Sequence, residues 1–288
     1  YYEGTVWYKK SFNYKVDAGS MNYLYFGAAN YDAKVYLNGE YLGSHIGGYT
    51  PFQFDVTGKL KEKDNFLVVK VDNKRKREAV PTVNTDWWNY GGITRSVDII
   101  SVPMLHVSDY MIQLAKGNAN TIEGSVTVTG SKINDAVTIE IPELKQVLKL
   151  KVDVNGKAAF KLNAKPKLWS PADPKLYKVT ISAGQDIVTD EIGFRTIETK
   201  GTKILLNGES IFLKGISIHE EAPFKTGRVT SVEECRILLG WAKEMGCNFV
   251  RLAHYPHNEM MVREAEKMGL LVWSEIPVYW TILYDNPQ

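Results

Sequence analysis

Three short runs in the last third of the chain combine imidazoles with carboxylates: Ser217-Ile218-His219-Glu220-Glu221, Ala253-His254-Tyr255-Pro256-His257 and Ser274-Glu275-Ile276-Pro277. Each follows a short apolar stretch with the texture of a strand. If those strands lie side by side in parallel, the runs gather at their carboxyl ends, where barrel active sites form. Two imidazoles and several carboxylates on one face could exchange protons or hydrogen-bond a polar ligand. The same residues have a plainer reading, with His254 bonding a neighbouring loop and Glu275 pairing with Arg251. The sequence leaves both open. A metal site is not expected, because Pro223 stands where a second helical histidine would be needed after His219, and His254 and His257 flank a proline. No cofactor is expected either, since the chain has no phosphate-binding glycine motif and no nucleophile elbow.

A fourth run lies far upstream: Asn84-Thr85-Asp86-Trp87-Trp88-Asn89-Tyr90-Gly91-Gly92-Ile93-Thr94-Arg95. Adjacent indoles beside an acid and an amide suit a sugar. Trp87 and Trp88 could cover the apolar faces of a ring while Asp86 and Asn89 bond its hydroxyls. A core aromatic cluster closed by a Gly-Gly turn explains the same composition equally well. The basic run Lys74-Arg75-Lys76-Arg77 reads as a solvated loop.

The elements that must position these runs change texture twice. From residue 1 to 103, short alternating stretches such as Ala33-Lys34-Val35-Tyr36-Leu37 end in turn signals such as Asn38-Gly39. This predicts a β-sandwich of jelly-roll type. From 104 to 196, regularly spaced strands predict an immunoglobulin-like sandwich. From 197 to 288, a hairpin at Asn207-Gly208 precedes a strand at Phe212–Ile216. A helix follows, opened by a Thr230-Ser231-Val232-Glu233 capping box, then Phe249–Leu252, a helix over 259–268 and a strand at Leu270–Trp273. Strand–helix alternation of this kind implies right-handed parallel crossovers, the opening of a (β/α)8 TIM barrel with about three strands present. The fold class expected is therefore multidomain: two β-sandwiches and the first strands and helices of a barrel.

The bulk properties exclude several classes. The 288 residues carry 35 basic and 33 acidic side chains, a formal charge of +2 that gives no argument for nucleic acid or an anionic membrane. No stretch approaches the ~18 consecutive apolar residues of a membrane-spanning helix, and no signal peptide is visible. Cys235 and Cys247 cannot build a disulfide framework and are expected as buried thiols. Tyr1 and Gln288 have the look of cut ends.

At these residues the sequence resembles glycoside hydrolase family 2, the β-glucuronidases, β-galactosidases and β-mannosidases. The resemblance runs in order through the segment from Asn38 to Phe52, Asp86 to Ile93, Leu168-Trp169-Ser170-Pro171 with Gly193-Phe194-Arg195, Leu206 to Glu220, and Asn248 to Pro256. It implies that Asp86 and His254 contact hydroxyls of the terminal sugar, with His219 near the same pocket and Trp87 and Trp88 available for stacking. Ala253 replaces the Ser more usual before that histidine.

The resemblance also implies a retaining mechanism, which needs two carboxyl groups roughly 5–5.5 Å apart. In the family both come from later barrel strands, the acid/base just after an Asn. Asn258-Glu259 opens a helix here, and Glu220 and Glu275 fall on the wrong strands, so the catalytic residues are expected beyond Gln288 and this polypeptide alone is expected to be inactive. The function implied is part of an exo-β-glycosidase, leaning to β-glucuronides. The alternatives are a β-galactosidase, a β-mannosidase, or a non-catalytic carbohydrate-binding module. The expected partner is a carbohydrate, with no nucleic acid and no membrane. The open edge of a partial barrel favours poor order or packing against another chain, a homo-oligomer included.

Overall fold

The computed structural model describes residues 2–130, 132, 135–280, 283 and 285. The chain divides into two compact units. One comprises Tyr1–Ser101, Gly215–Ala265 and Val272–Gln288, and the other Val102–Lys214 and Glu266–Leu271.

In the first unit, one antiparallel sheet runs in the order Thr5–Phe12, Asn65–Asp72, Asp32–Leu37, Glu40–Ile46. A second runs Phe52–Asp55, Ser20–Phe26, Val97–Pro103. Alternation sets the faces: Leu67, Val69 and Val71 point into a core with Ala33, Val35, Leu37, Leu24 and Phe26, while the residues between them point out. The hairpin joining Asp32–Leu37 to Glu40–Ile46 turns at Asn38 (φ 54°) and Gly39 (φ 89°), the paired left-handed conformations that a two-residue turn needs.

A further sheet runs Gly215–Ile218, Phe249–Leu252, Leu271–Ser274, all but Leu271 in the first unit. The first two pair in parallel, Gly215 opposite Phe249 through Ile218 opposite Leu252. The crossovers are helix α1 (Val232–Glu244), which buries Cys235, Leu239 and Ala242, and helix α2 (Glu259–Lys267), which buries Met261, Glu264 and Ala265. Arg236 Nε lies 2.7 Å from Glu264 and ties the two helices. Both cysteines are free and buried, and burial pushes the Cys235 thiol up to about 12.

Four boundaries differ from the sequence reading, the smallest being the end of α2 at Lys267 rather than 268. The strand expected at Phe212–Ile216 begins at Gly215, because the parallel ladder starts opposite Phe249 and Phe212 is exposed. The cap of α1 is Ser231, one residue later than expected: its hydroxyl accepts from the Glu234 amide at 3.2 Å, and the Glu234 carboxylate reaches back to the Thr230 amide at 2.8 Å. The last strand is Leu271–Ser274, one residue beyond the stretch expected.

The second unit is a sandwich of a three-stranded sheet (His106–Ala115, Asn118–Thr129, Lys157–Asn163) and a four-stranded sheet (Gln146–Lys151, Ala136–Ile141, Tyr177–Ala183, Asp186–Ile192). Its core joins Ile122, Val126, Ile139, Ile141, Val179 and Ile181 from the two sheets. The hairpin at Asn207-Gly208 belongs to this unit. So does Glu266, which pairs with Arg195 at 2.6 Å while that guanidinium stacks 4.5 Å over Trp169.

Candidate active site

Every candidate site residue singled out in the sequence lies in the first unit. Asp86 sits on the loop after Asn65–Asp72, and His254 on the loop after Phe249–Leu252. Their facing atoms, Asp86 Oδ1 and His254 Nε2, are 3.8 Å apart. That gap is too long for a direct hydrogen bond. It matches two groups that share one hydroxyl, whose oxygen could stand about 2.8 Å from each. Asp86 is the exposed member, and the His254 side chain is largely enclosed. The other carboxylate oxygen of Asp86 accepts from Tyr279 OH at 2.5 Å.

The opposite edge of the His254 ring is held. Nδ1 stands 3.1 Å from Arg251 Nη2, a donor, and 3.2 Å from Glu275 Oε2, an acceptor. Either ring tautomer therefore finds a partner at Nδ1, leaving Nε2 free toward Asp86. Arg251 and Glu275 also pair at 2.6 Å, so the plainer reading of Glu275 holds as well, and the pair steers the imidazole. His219 completes the group, edge-on to His254 with ring centroids 5.2 Å apart. Burial, and after it the proximity of His254, lower the pKa of His219 and keep it neutral near pH 7. Among the described residues its buried Nδ1 has no hydrogen-bond partner.

Trp87 and Trp88 separate. Trp87 is 8% exposed and forms an aromatic cluster with Tyr49 and Tyr255, its indole N–H donating to Tyr49 OH at 2.9 Å. It lies 5.4 Å from His254 and 6.3 Å from His219, so it is the floor under the two imidazoles. Trp88 is 68% exposed and makes no part of that cluster.

Beneath the floor runs a buried polar network. The Arg228 guanidinium lies 4.3 Å over the Tyr255 ring, hydrogen-bonds Tyr255 OH and donates to Trp88 O at 3.2 Å. Arg95 donates to Tyr49 O at 2.8 Å, Glu220 Oε2 at 2.9 Å and Pro256 O at 2.7 Å. Glu220 is fully buried and also accepts from the Asn258 amide at 2.8 Å. These contacts join the Asp86 loop to the His254 loop. Sequence reasoning missed Tyr279, Arg228 and the supporting role of Tyr49. Tyr49 had a signal, since it lies in the segment from Asn38 to Phe52 that carries the family resemblance. The basic run was also misjudged at one position. Arg75 is partly buried, with Nη2 donating to Thr85 Oγ1 at 2.7 Å, and so braces the residues just before Asp86. Among the described residues, no three His, Cys, Asp or Glu side chains cluster as metal ligands.

Family comparison agrees with this architecture. Residues 1–103 match the glycosyl hydrolases family 2 sugar binding domain, 105–195 the domain described as glycosyl hydrolases family 2, and 197–283 the family 2 TIM barrel domain. The chain belongs to glycoside hydrolase family 2, with jelly-roll and immunoglobulin-like sandwiches and part of a TIM barrel. A Formosa agariphila relative is 33% identical over 94% of the chain and 35% of that protein. A β-galactosidase of Thermoanaerobacter pseudethanolicus is 32% identical over 99% of the chain and 41% of that protein. The solved β-glucuronidase of Bifidobacterium dentium, complexed with coumarin-3-O-glucuronide, superposes with a TM-score of 0.87 at 27% identity, over 95% of this chain and 53% of that one. The chain thus spans about a third to a half of the length of these relatives.

Proposed function

We propose that this chain forms the sugar-recognition part of a retaining exo-β-glycosidase that cleaves terminal β-linked sugars, with β-glucuronides as the preferred class. The observation that carries the reading is the meeting of Asp86 and His254 across a gap that suits one hydroxyl. Both would grip the terminal ring, His219 would approach a second hydroxyl with its neutral imidazole, and Trp87 would support the sugar from below. Hydrogen bonds of this kind strengthen as the ring distorts toward an oxocarbenium-like state, so they lower the barrier rather than only tightening binding.

The two catalytic carboxyl groups come from outside these 288 residues. Glu220 is a poor acid or nucleophile, being fully buried and bonded to Arg95 and the Asn258 amide. Glu275 is occupied by Arg251 and His254. Both oxygens of each carboxylate are already taken by these partners, which suits orienting other groups rather than attacking or protonating a substrate. A non-catalytic carbohydrate module is the weaker reading, because a binding module has no use for parallel βα units that place two imidazoles at strand ends.

The test is a panel of nitrophenyl β-glucuronide, β-galactoside and β-mannoside with the full-length protein, beside the 288-residue chain alone. The glucuronide should be turned over fastest by the full-length protein, and the chain alone should be inert. Turnover by the chain alone that Glu220→Gln or Glu275→Gln abolishes would overturn the assignment of the carboxylates.

A further inference from the structure

An antiparallel sheet that covers a core on one side ordinarily turns polar residues outward on the other. The sheet built on Thr5–Phe12, Asn65–Asp72, Asp32–Leu37 and Glu40–Ile46 departs from that rule. Its inward positions are filled by Ala33, Val35, Leu37, Leu67, Val69 and Val71. Its outward positions carry Trp7, Tyr36, Tyr41 and Phe66 together with Lys9, Lys34 and Lys70. The register fixes the arrangement: Trp7 is opposite Lys70, which is opposite Lys34, and one row along Lys9 is opposite Val68, which is opposite Tyr36. Tyr36 is in turn opposite Tyr41.

Three rings make a diagonal across the strands. The centroids of Trp7 and Tyr36 are 6.4 Å apart and those of Tyr36 and Tyr41 are 5.2 Å apart, with interplanar angles of 30° and 47°. Trp7 is 60% exposed and Tyr41 is 50% exposed. A register shift in the Glu40–Ile46 strand, from Val35 opposite Gly43 to Tyr36 opposite Tyr41, puts Tyr41 on this face; without the extra residue it would turn inward. The lysines border the rings, Lys70 Nζ 6.0 Å from the Trp7 ring and Lys9 Nζ 5.6 Å from the Phe66 ring. Three acids lie at the margin: Asp72 accepts from Thr5 and the Lys74 amide, Glu40 pairs with Lys59, and Asp32, opposite Asp72 at the end of the sheet away from Tyr41, leaves the three lysines in excess over it.

We propose that this face is a second carbohydrate-binding surface, separate from the Asp86–His254 site, and that it takes an anionic polysaccharide. The rings of Trp7, Tyr36 and Tyr41 would stack against successive sugar faces, and the ammonium groups of Lys9, Lys34 and Lys70 would meet carboxylate or sulfate substituents. The mixture argues against a protein partner, because lysines are depleted at the centre of protein interfaces. It argues against single-stranded nucleic acid as well, whose binding grooves track the backbone with positive charge, while this chain carries a net charge of only +2. The tilt between successive rings suits a twisting polymer better than a flat crystalline one.

The test is affinity electrophoresis of the full chain through gels containing hyaluronan, neutral hydroxyethyl cellulose or poly(U), with binding constants from titration. It measures binding without turnover, so its outcome is independent of whether the glycosidase reading holds. Hyaluronan should retard the chain and lose affinity as salt is raised. Trp7→Ala and Tyr41→Ala should each weaken it about tenfold, on the order expected for one lost stacking contact. Replacing Lys9, Lys34 and Lys70 together by Gln should remove the salt dependence. Urea unfolding midpoints check that the variants fold, and the lysine variant keeps the test open if Trp7→Ala does not. Four results would each overturn the proposal: no retardation by hyaluronan, unchanged binding in the variants, hydroxyethyl cellulose bound as tightly as hyaluronan, or poly(U) bound more tightly. A concentration-dependent dimer that Tyr41→Ala dissolves would assign the face to a second copy instead.

Discussion

Arg228 and Trp88 are joined by a 3.2 Å hydrogen bond from the guanidinium to the backbone carbonyl, and through it the barrel segment grips the loop that carries Asp86. The same guanidinium stacks on Tyr255, next to His254. One buried cation therefore fixes the neighbours of both proposed sugar contacts, and the spacing between Asp86 and His254 depends on it.

Removing that cation should be costly. Arg228→Ala empties a buried cation site, takes the donor from Trp88 O and leaves Tyr255 OH with only the Glu220 amide, so a loss of about 2 kcal/mol is expected. Arg228→Lys should recover part of it, since an ammonium can reach one acceptor but cannot fork. Urea denaturation of the three proteins measures this, and a change below about 0.5 kcal/mol in Arg228→Ala would be that of an ordinary surface site.

Acid should destabilise the first unit through His257. Its Nε2 bonds Ala253 O at 2.8 Å, and burial lowers its pKa to about 3. Above the unfolded value of about 6.5, neither state binds the proton and the stability of the neutral ring is fully present. As pH falls from there toward about 3 the unfolded chain takes up a proton that the folded one refuses, and stability drops by up to about 1.4 kcal/mol per unit. His219 contributes with the same sign. In His257→Phe, the unfolding free energy measured between pH 7 and pH 4 should slope less steeply than in the wild type. Equal slopes would mean the ring is protonated in the fold.

The thiols should be silent. Cys235 is buried in α1 with its pKa pushed up to about 12, and Cys247 is also buried. Thiolates react and thiols do not. A chromogenic disulfide reagent at pH 8 should therefore label neither cysteine in the native chain and both after denaturation. Fast native labelling would show that the α1 segment opens.

Much of this was legible because local rules and tertiary packing agreed. Asn38-Gly39 and Asn207-Gly208 turn where two left-handed residues are needed, and the hydrophobic spacing of α1 matches its buried face. The errors came where tertiary contacts decided. Phe212 reads as strand, yet the parallel ladder opens only at Gly215. Thr230 and Ser231 are equivalent caps on paper, and the reach of Glu234 to the Thr230 amide selects Ser231. Within the candidate site, Asp86, His219 and His254 stood out by residue type and place. Tyr279 and Arg228 did not, because a tyrosine past a strand end and an arginine in a loop have no pattern until the fold brings partners to them. Trp87 and Trp88 were indistinguishable as a pair, and only packing sends one to the floor and the other to the surface.

The central claim is that Asp86 and His254 share one sugar hydroxyl. A double-mutant cycle on kcat/KM, with Asp86→Asn, His254→Gln and the pair in the full-length protein, addresses it most directly. Two groups bonding a common hydroxyl should be coupled by about 1 kcal/mol or more, the double variant losing much less than the product of the single losses. Strictly multiplicative losses, or single variants that leave kcat/KM unchanged, would contradict it.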